Sequence, residues 1–251
     1  EVSRQHRWAR GDWQLIPYIF DAARDITALG RWKMFDNLRR SLTPIAWAFA
    51  SVLGWYFLDP LGALVWQIIL IFSLFVAPTI SLISNILPRS TDIVQRVHFS
   101  TLWSDIRDTN AQVALRIVFI ADSAWMMADA IVRSLYRLFV SRKKMLEWRT
   151  AASVQSSAQV SIAGYYRKMW HAPAVAFASL ALAAAAGDNA FLVGIPFVML
   201  WVLSPAIAWY VSQSAETEDQ LFVPDDVAVG LRRIGRRTWR YFDTFVTPEQ
   251  N

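Results

Sequence analysis

Two long stretches of the chain are apolar and contain no lysine or arginine: residues 43–87 and residues 172–212. About 20 residues of α-helix cross a bilayer core of about 30 Å, so each stretch has the length of two helices. Asp59-Pro60 interrupts the first stretch and Gly187-Asp188-Asn189 the second, as turns do. The sequence therefore predicts an all-α integral membrane protein with four transmembrane helices as two hairpins, plus cytoplasmic interfacial amphipathic helices.

The basic residues indicate on which side of the membrane the other segments lie. All 25 Lys and Arg fall in residues 1–42, 88–171 and 213–251, whereas the hairpin tips carry only Asp59 and Asp188. The positive-inside rule therefore predicts that both tips are outside and that both termini and the central segment are cytoplasmic. We also expect aromatic belts at the ends of the spans. The belt candidates are Trp47, Trp55, Tyr56, Trp66, Trp201 and Trp209.

A further apolar segment, residues 117–132, challenges the count of four spans. As a fifth span it would bury two aspartates and move the basic residues that follow it to the outside. We instead predict an amphipathic helix that lies on the cytoplasmic face or against other helices, with its charges on a polar face. Asp129 and Arg133 would form an i,i+4 pair there. The charged residues that fall close to one stripe are Arg116, Asp122, Asp129, Arg133 and Arg137.

These patterns divide the chain into six segments. The Ala-rich first arm of the second hairpin is expected to pack against other helices, because small side chains let helix backbones approach closely. The segments are residues 1–14, an arginine- and tryptophan-rich start; 15–42, interfacial helices; 43–87, the first hairpin; 88–171, a cytoplasmic and interfacial helical segment; 172–212, the second hairpin; and 213–251, a cytoplasmic linker and helix that leads into a following domain.

The composition excludes several kinds of site. There is no cysteine, which excludes disulfides, thiolate metal sites and cysteine nucleophiles, and the three histidines are scattered along the chain. No phosphate-binding loop, dinucleotide fingerprint or serine elbow is present. The net charge of +5 is carried by residues that flank the predicted spans, so we expect a lipid bilayer as partner and no nucleic acid.

The most distinctive cluster of chemistry-bearing residues is at the start of the chain, in residues 4–14. A guanidinium is a fork-shaped donor for phosphate oxygens, and an indole offers a flat face to a sugar ring. Arg7 and Trp8 therefore suit a site for a sugar diphosphate, although composition alone favours a basic, aromatic membrane-surface anchor. Asp12 could orient a neighbouring arginine, assist an acceptor hydroxyl, or be a surface partner for an arginine.

Arg4-x-x-Arg7-Trp8, followed by Ala9-Arg10-Gly11-x-x-Gln14, resembles the QxxRW signature of processive family 2 glycosyltransferases. In that family the signature lies on an interfacial helix just before transmembrane spans, so the resemblance implies that residues 1–14 are the end of a glycosyltransferase catalytic domain. The resemblance implies that Arg7 contacts the nucleotide diphosphate and that Trp8 stacks on the acceptor sugar. Arg4 stands where the family has glutamine, so its role is not given by the resemblance.

Three further runs resemble the membrane region of cyclic β-1,2-glucan synthases: residues 31–42, 145–152 and 236–246. The resemblance implies a piece of a multi-pass enzyme of the bacterial inner membrane, between a glycosyltransferase domain and a glycoside-hydrolase-like cyclising domain. It implies UDP-glucose and a β-1,2-glucan chain as partners, no cofactor within this segment, and a divalent metal (Mg or Mn) in the upstream transferase domain. We expect the segment alone to be inactive. The alternative is a non-catalytic scaffold or a transporter-like helical bundle.

Overall fold

A computed structural model describes residues 2–21, 25–86, 95–143, 161–187, 190–213 and 224–246. Among these residues the regular structure is entirely helical, as predicted, and they fall into two compact units, Glu1–Val211 and Ser212–Asn251. The helices of the first unit are α1 (Val2–Gln14), α2 (Ile16–Phe20), α3 (Ala28–Phe57), α4 (Pro60–Ile86), α5 (Gln95–Val118), α6 (Ile120–Tyr136, extended by the π-helical turn Arg137–Ser141), α7 (Ile162–Lys168), α8 (His171–Ala185) and α9 (Phe191–Val211). The second unit contains α10 (Asp225–Phe245).

The first predicted hairpin is formed by α3 and α4. The Thr27 hydroxyl caps α3 by accepting a hydrogen bond from the backbone N–H of Gly30 at 3.2 Å. From there α3 runs without a break to Phe57, so the predicted interfacial helix and the first predicted span are one helix. The turn at Asp59-Pro60 is confirmed, and proline at the first position of α4 suits a helix start because its missing N–H is not needed there.

Two helices among the described residues, α4 and α9, are long and apolar enough to cross a membrane. Only 11% of the spanning window of α4 is buried, and its outward residues are large and apolar, among them Ile69 and Phe72. A core helix of a soluble protein would instead bury most of its apolar surface. The two other predicted arms are shorter, since α8 has 15 residues and residues 43–58 are the second half of α3. Two of the four predicted spans thus have the required length and hydropathy.

Three of the predicted belt residues lie instead in the core between the hairpins. Trp47, Trp55 and Trp201, which we call the tryptophan core, are 4%, 0% and 0% exposed. The rings of Trp55 and Trp201 contact each other, with centroids 5.8 Å apart. The belt prediction is therefore wrong for these three residues, whereas Tyr56 and Trp66 are exposed.

Each indole N–H of the tryptophan core donates to an acceptor inside the bundle, which explains why these rings can be buried. The donor–acceptor distances are 2.9 Å from Trp47 to the carbonyl of Leu70, 3.1 Å from Trp55 to Gln67 Oε1 and 3.1 Å from Trp201 to the carbonyl of Ile117. Sequence position near a span end does not reveal such an internal acceptor.

Small residues allow the helices to approach at this core. A Cβ on Gly194 of α9 would lie 2.9 Å from the Trp55 ring, a separation that real side chains do not show. Along α8 the residues Ala172, Ala176 and Ala183 are fully buried. The predicted packing of the Ala-rich arm against other helices is therefore confirmed.

The predicted amphipathic helix exists as α6, and it packs against α1, α3 and α8. The i,i+4 pair is confirmed, since Arg133 Nε lies 2.7 Å from Asp129 Oδ1. The prediction that these charged residues form a single stripe is wrong for two of them. Phe119 is not helical, so Arg116 belongs to α5, and Asp122 is only 3% exposed. The reason is that partner helices enclose α6 on more sides than an interfacial helix would allow.

The predicted interfacial helices of residues 15–42 are interrupted. Only the five residues of α2 are helical before the chain becomes extended at Asp21, and α3 begins at Ala28. The Arg31 guanidinium holds this connection by donating to the carbonyls of Ile19, Asp21 and Ile26 at 3.0–3.3 Å. The run 145–152, the tip residue Asp188 and residues 214–223 of the linker lie outside the described residues.

Candidate functional site

The predicted site residues lie on one side of α1. Arg4, Trp8 and Asp12 follow one another at i, i+4 and i+8, and Arg7 is one turn from Arg4. Trp8 is 60% exposed, and the guanidinium carbon of Arg4 lies 5.2 Å from the centroid of its ring, a cation–π contact. The structure thus brings the arginines and the tryptophan of the motif together at an accessible surface.

The opposite side of α1 packs against α6. Ala9 is 4% exposed and forms a small apolar cluster with Met126, Met127 and Ala130 of α6. The Ser134 hydroxyl donates to the carbonyl of Arg10 at 3.2 Å. We call the surface where α1 meets α3 and α6 the motif interface; it fixes which side of α1 remains open.

An Asp–His pair strengthens the motif interface. His6 Nε2 lies 3.0 Å from Asp129 Oδ2, and Arg133 binds the other carboxylate oxygen. Burial alone would raise the pKa of Asp129, but the hydrogen bonds from Arg133 and His6 outweigh it and hold that pKa below the usual value. His6 was not among the predicted site residues, although it lies inside the motif beside Arg7.

Asp12 lies where the row of site residues reaches α3. Its Oδ1 accepts a hydrogen bond from Asn37 Nδ2 at 3.3 Å. Burial raises the pKa of Asp12, and the Asn37 hydrogen bond and the charge of Arg40 oppose that rise. The carboxyl group is therefore oriented by α3, while it stays on the same side of α1 as Trp8.

Trp13 and Ser41 make a further contact between α1 and α3. The Trp13 indole N–H donates to the Ser41 hydroxyl at 2.8 Å, and that hydroxyl donates to the carbonyl of Leu38 at 2.7 Å. Ser41 is buried. Trp13 therefore fixes the position of α1 and does not extend the exposed surface of Trp8.

A second Asp–His pair links α6 to the second hairpin. Asp122 Oδ1 lies 2.6 Å from His171 Nε2 at the start of α8, and the rings of Trp125 and Trp170 pack around that histidine. Asp122 and Asp129 are seven residues apart, which places them on one side of α6. That spacing was a usable sequence signal, although a single sequence does not show that each aspartate faces a histidine from another helix.

These contacts make α6 a connection, beside α3, between α1 and the two hairpins. Asp129 contacts α1 through His6, and Asp122 lies against His171 of α8. Such an arrangement can keep the open side of α1 at a fixed position relative to the hairpins. Among the described residues no group of three or more His, Asp or Glu could hold a metal ion.

Comparison with known proteins gives one extensive match. No protein-family model matches the chain. Over all 251 residues the chain is 66% identical to a segment of the cyclic β-(1,2)-glucan synthase NdvB of Rhizobium meliloti (strain 1021), and it covers 9% of that protein's length. The resemblance to cyclic β-1,2-glucan synthases is thus confirmed, because the whole chain corresponds to one segment of such a protein.

Proposed function

We propose that this chain is the membrane-embedded part of a processive inverting glycosyltransferase that makes cyclic β-1,2-glucan from UDP-glucose. The observation that carries the proposal is the 66% identity to a segment of a cyclic β-(1,2)-glucan synthase over the whole chain. The open side of α1 supports it, because it groups arginine and tryptophan side chains suited to a phosphate and a sugar ring.

Each residue of the site has a proposed role in substrate binding. Arg7 contacts the nucleotide diphosphate, since a guanidinium forms charge-assisted hydrogen bonds with phosphate oxygens. Trp8 stacks on the acceptor sugar. Arg4 lies against the Trp8 ring and orients it, which gives a role to the arginine that replaces the glutamine of the signature. Asp12 faces an acceptor hydroxyl, with its carboxyl group oriented by Asn37.

The two hairpins anchor these residues at the membrane. In the proposed topology α3, α4, α8 and α9 supply four spans of a bacterial inner membrane, with both termini cytoplasmic. The exposed apolar surface of α4 and the absence of Lys and Arg from both hairpins support this arrangement. A transferase domain with its divalent metal would precede this chain, and a glycoside-hydrolase-like cyclising domain would follow it.

The proposal is tested by replacing site residues in the full-length protein and measuring glucose incorporation from radiolabelled UDP-glucose in membrane vesicles. Arg7→Ala and Trp8→Ala should each lower incorporation about tenfold or more, because each removes a direct substrate contact. Trp103→Ala is the matched control, since Trp103 is also exposed, at 71%, but lies on α5.

The membrane content of each variant is measured with the same vesicles. Normal insertion with lost incorporation supports the substrate-binding role. Normal insertion with unchanged incorporation in both site variants would contradict it and would indicate a non-catalytic scaffold or a transporter-like bundle.

A further inference from the structure

Helix α10, in the second compact unit, has five arginines on one side. Their spacing repeats at three or four residues, so they share one face of the helix. Together with Val229 they line one continuous surface depression. The arginines are Arg232, Arg233, Arg236, Arg237 and Arg240.

The other side of α10 is apolar and aromatic. Ile234 is 63% exposed and Phe242 is 54% exposed, and their neighbours on this face are equally open. The other members of this face are Val227, Leu231, Trp239, Tyr241 and Phe245. A contiguous exposed apolar face of this kind indicates a surface that lipid or another molecule covers.

The combination of the two faces favours one partner. A nucleic acid would neutralise the arginines but leave the apolar face in water. An apolar protein groove would cover that face but leave five positive charges without a counterpart. An anionic bilayer surface satisfies both, because the apolar side enters the acyl boundary and the guanidinium groups reach the phosphates. Arg232 and Arg237, at the two edges of the basic face, can extend to the headgroups while their stems cover apolar surface.

The linker before α10 is long enough for the helix to reach a membrane. Residues 212–224 join it to α9, which has the length and hydropathy of a span. Thirteen residues reach at most about 45 Å when fully extended. A linker of this length allows α10 to reach a membrane surface on the side of Val211, which is cytoplasmic in the proposed topology.

We propose that α10 lies flat on the anionic cytoplasmic surface of the bilayer, with its apolar face in the lipid and its edge arginines, Arg232 and Arg237, at the phosphates. This rests on the membrane topology under the proposed function and is independent of the substrate-binding role of α1. The helix thereby holds the chain that follows it close to the membrane surface.

The test places one environment-sensitive fluorescent label at a time on the full-length protein in nanodiscs. These 251 residues contain no cysteine, so Leu231→Cys and Val229→Cys each give a single site here, once cysteines elsewhere are replaced by serine. The two positions are two residues apart on opposite faces of α10, which makes Val229 the matched control. A label at Phe72→Cys on the exposed side of α4 reports the membrane span.

The nanodiscs contain brominated lipid as a quencher, with either phosphatidylglycerol or phosphatidylcholine headgroups. We expect quenching at Leu231→Cys and Phe72→Cys, none at Val229→Cys, and the Leu231 signal only with phosphatidylglycerol. Arg232→Gln with Arg237→Gln should lower the ratio of docked to undocked helix about fivefold for each charge, because these two arginines flank the apolar face, whereas Lys at both positions should preserve it.

The outcomes separate this inference from the proposed function. Quenching at Phe72→Cys without quenching at Leu231→Cys would overturn the docking of α10 alone. Shielding of Leu231→Cys from aqueous iodide without lipid quenching would show that protein covers the helix, and would also overturn it. Equal quenching at Leu231→Cys with both headgroups would overturn the proposed contact between the arginines of α10 and anionic lipid. Absence of quenching at Phe72→Cys and Leu231→Cys would overturn both the span and the docking.

Discussion

The tryptophan core and the motif interface hold helices together by different means. In the core, aromatic rings pack against glycine and alanine, and the N–H groups of the rings donate to neutral acceptors. At the motif interface, charged and hydroxyl side chains from α1, α3 and α6 meet at about 3 Å. The core should therefore respond to changes of volume and the motif interface to changes of charge and pH.

In the proposed topology, the difference follows from the surroundings of each region. Between apolar helices in lipid, association depends on close packing, since burial of apolar surface gives little advantage there. At the membrane surface water competes for each polar group, so one polar contact contributes about 1 kcal/mol or less. Because each polar contact contributes little, one of them can be changed at the motif interface without unfolding the helices.

The largest effect should come from Trp55→Ala. Trp55 is fully buried, contacts the Trp201 ring and donates to Gln67, so the truncation leaves a cavity and an acceptor without its donor. We expect the free energy of unfolding to fall by about 3–5 kcal/mol. The measurement is unfolding of the purified protein in mixed detergent micelles.

Trp103→Ala is the control for this measurement, because Trp103 is exposed and should contribute less than about 0.5 kcal/mol. Equal losses in the two variants would show that the tryptophan core is not a distinct packing unit.

The second prediction concerns the close approach of α9 to Trp55. In Gly194→Ala the new Cβ would overlap the buried ring, and the helices must separate. We expect a loss of about 1–3 kcal/mol in the free energy of unfolding. Gly11→Ala, where a Cβ meets nothing within 4 Å, should be neutral or slightly stabilising. A neutral Gly194→Ala would mean that the helices do not pack this closely.

Trp55 also shows how far the sequence predicts the fold. The helices, the turn at Asp59-Pro60 and the packing of the Ala-rich arm follow from hydropathy, turn residues and side-chain size. The burial of Trp55 does not, because tryptophan near a span end suits a lipid interface equally well. Its acceptor, Gln67, is twelve residues away on another helix, and only the folded bundle brings the two together.

The candidate site was predictable to a similar extent. Arg7 and Trp8 are recognisable from residue type and spacing, and the helix places them on one side with Arg4. Asp122 was expected on a polar face and is buried against His171. A surface helix and a helix enclosed by partners with matching polar groups show the same alternation of apolar and charged residues. Periodicity alone therefore does not distinguish the two kinds of helix.

The third prediction concerns pH dependence at the motif interface. The pKa of Asp129 is held below its usual value, so its contribution to stability is present above the ordinary carboxyl pKa, near 4, and is lost as pH falls through the folded value. Asp129→Asn should cost up to about 1 kcal/mol at pH 7. Its difference from the unmodified protein should shrink as the pH is lowered toward 3, measured by the thermal midpoint.

Asp12 provides the opposite case to Asp129, because its pKa is raised and not lowered. Burial raises its pKa, so the ionised carboxylate lowers stability above that pKa, and the loss disappears as pH falls through it. Asp12→Asn should therefore raise the thermal midpoint at pH 7 and have less effect at low pH. If both variants shifted the midpoint in the same direction at pH 7, the assignment of the two carboxylates would be wrong.

The smallest effect should come from Asp36→Asn. Hydrogen bonds from Arg39 and then Arg40 lower the pKa of Asp36, which is the same direction as for Asp129. Both partners are on α3 itself and are largely exposed, so the pairs join no second helix and are screened by water and salt. We expect a smaller change in the thermal midpoint than for Asp129→Asn, and less still in high salt. A change as large as that of Asp129→Asn would show that joining two helices is not what makes a charged contact matter in this protein.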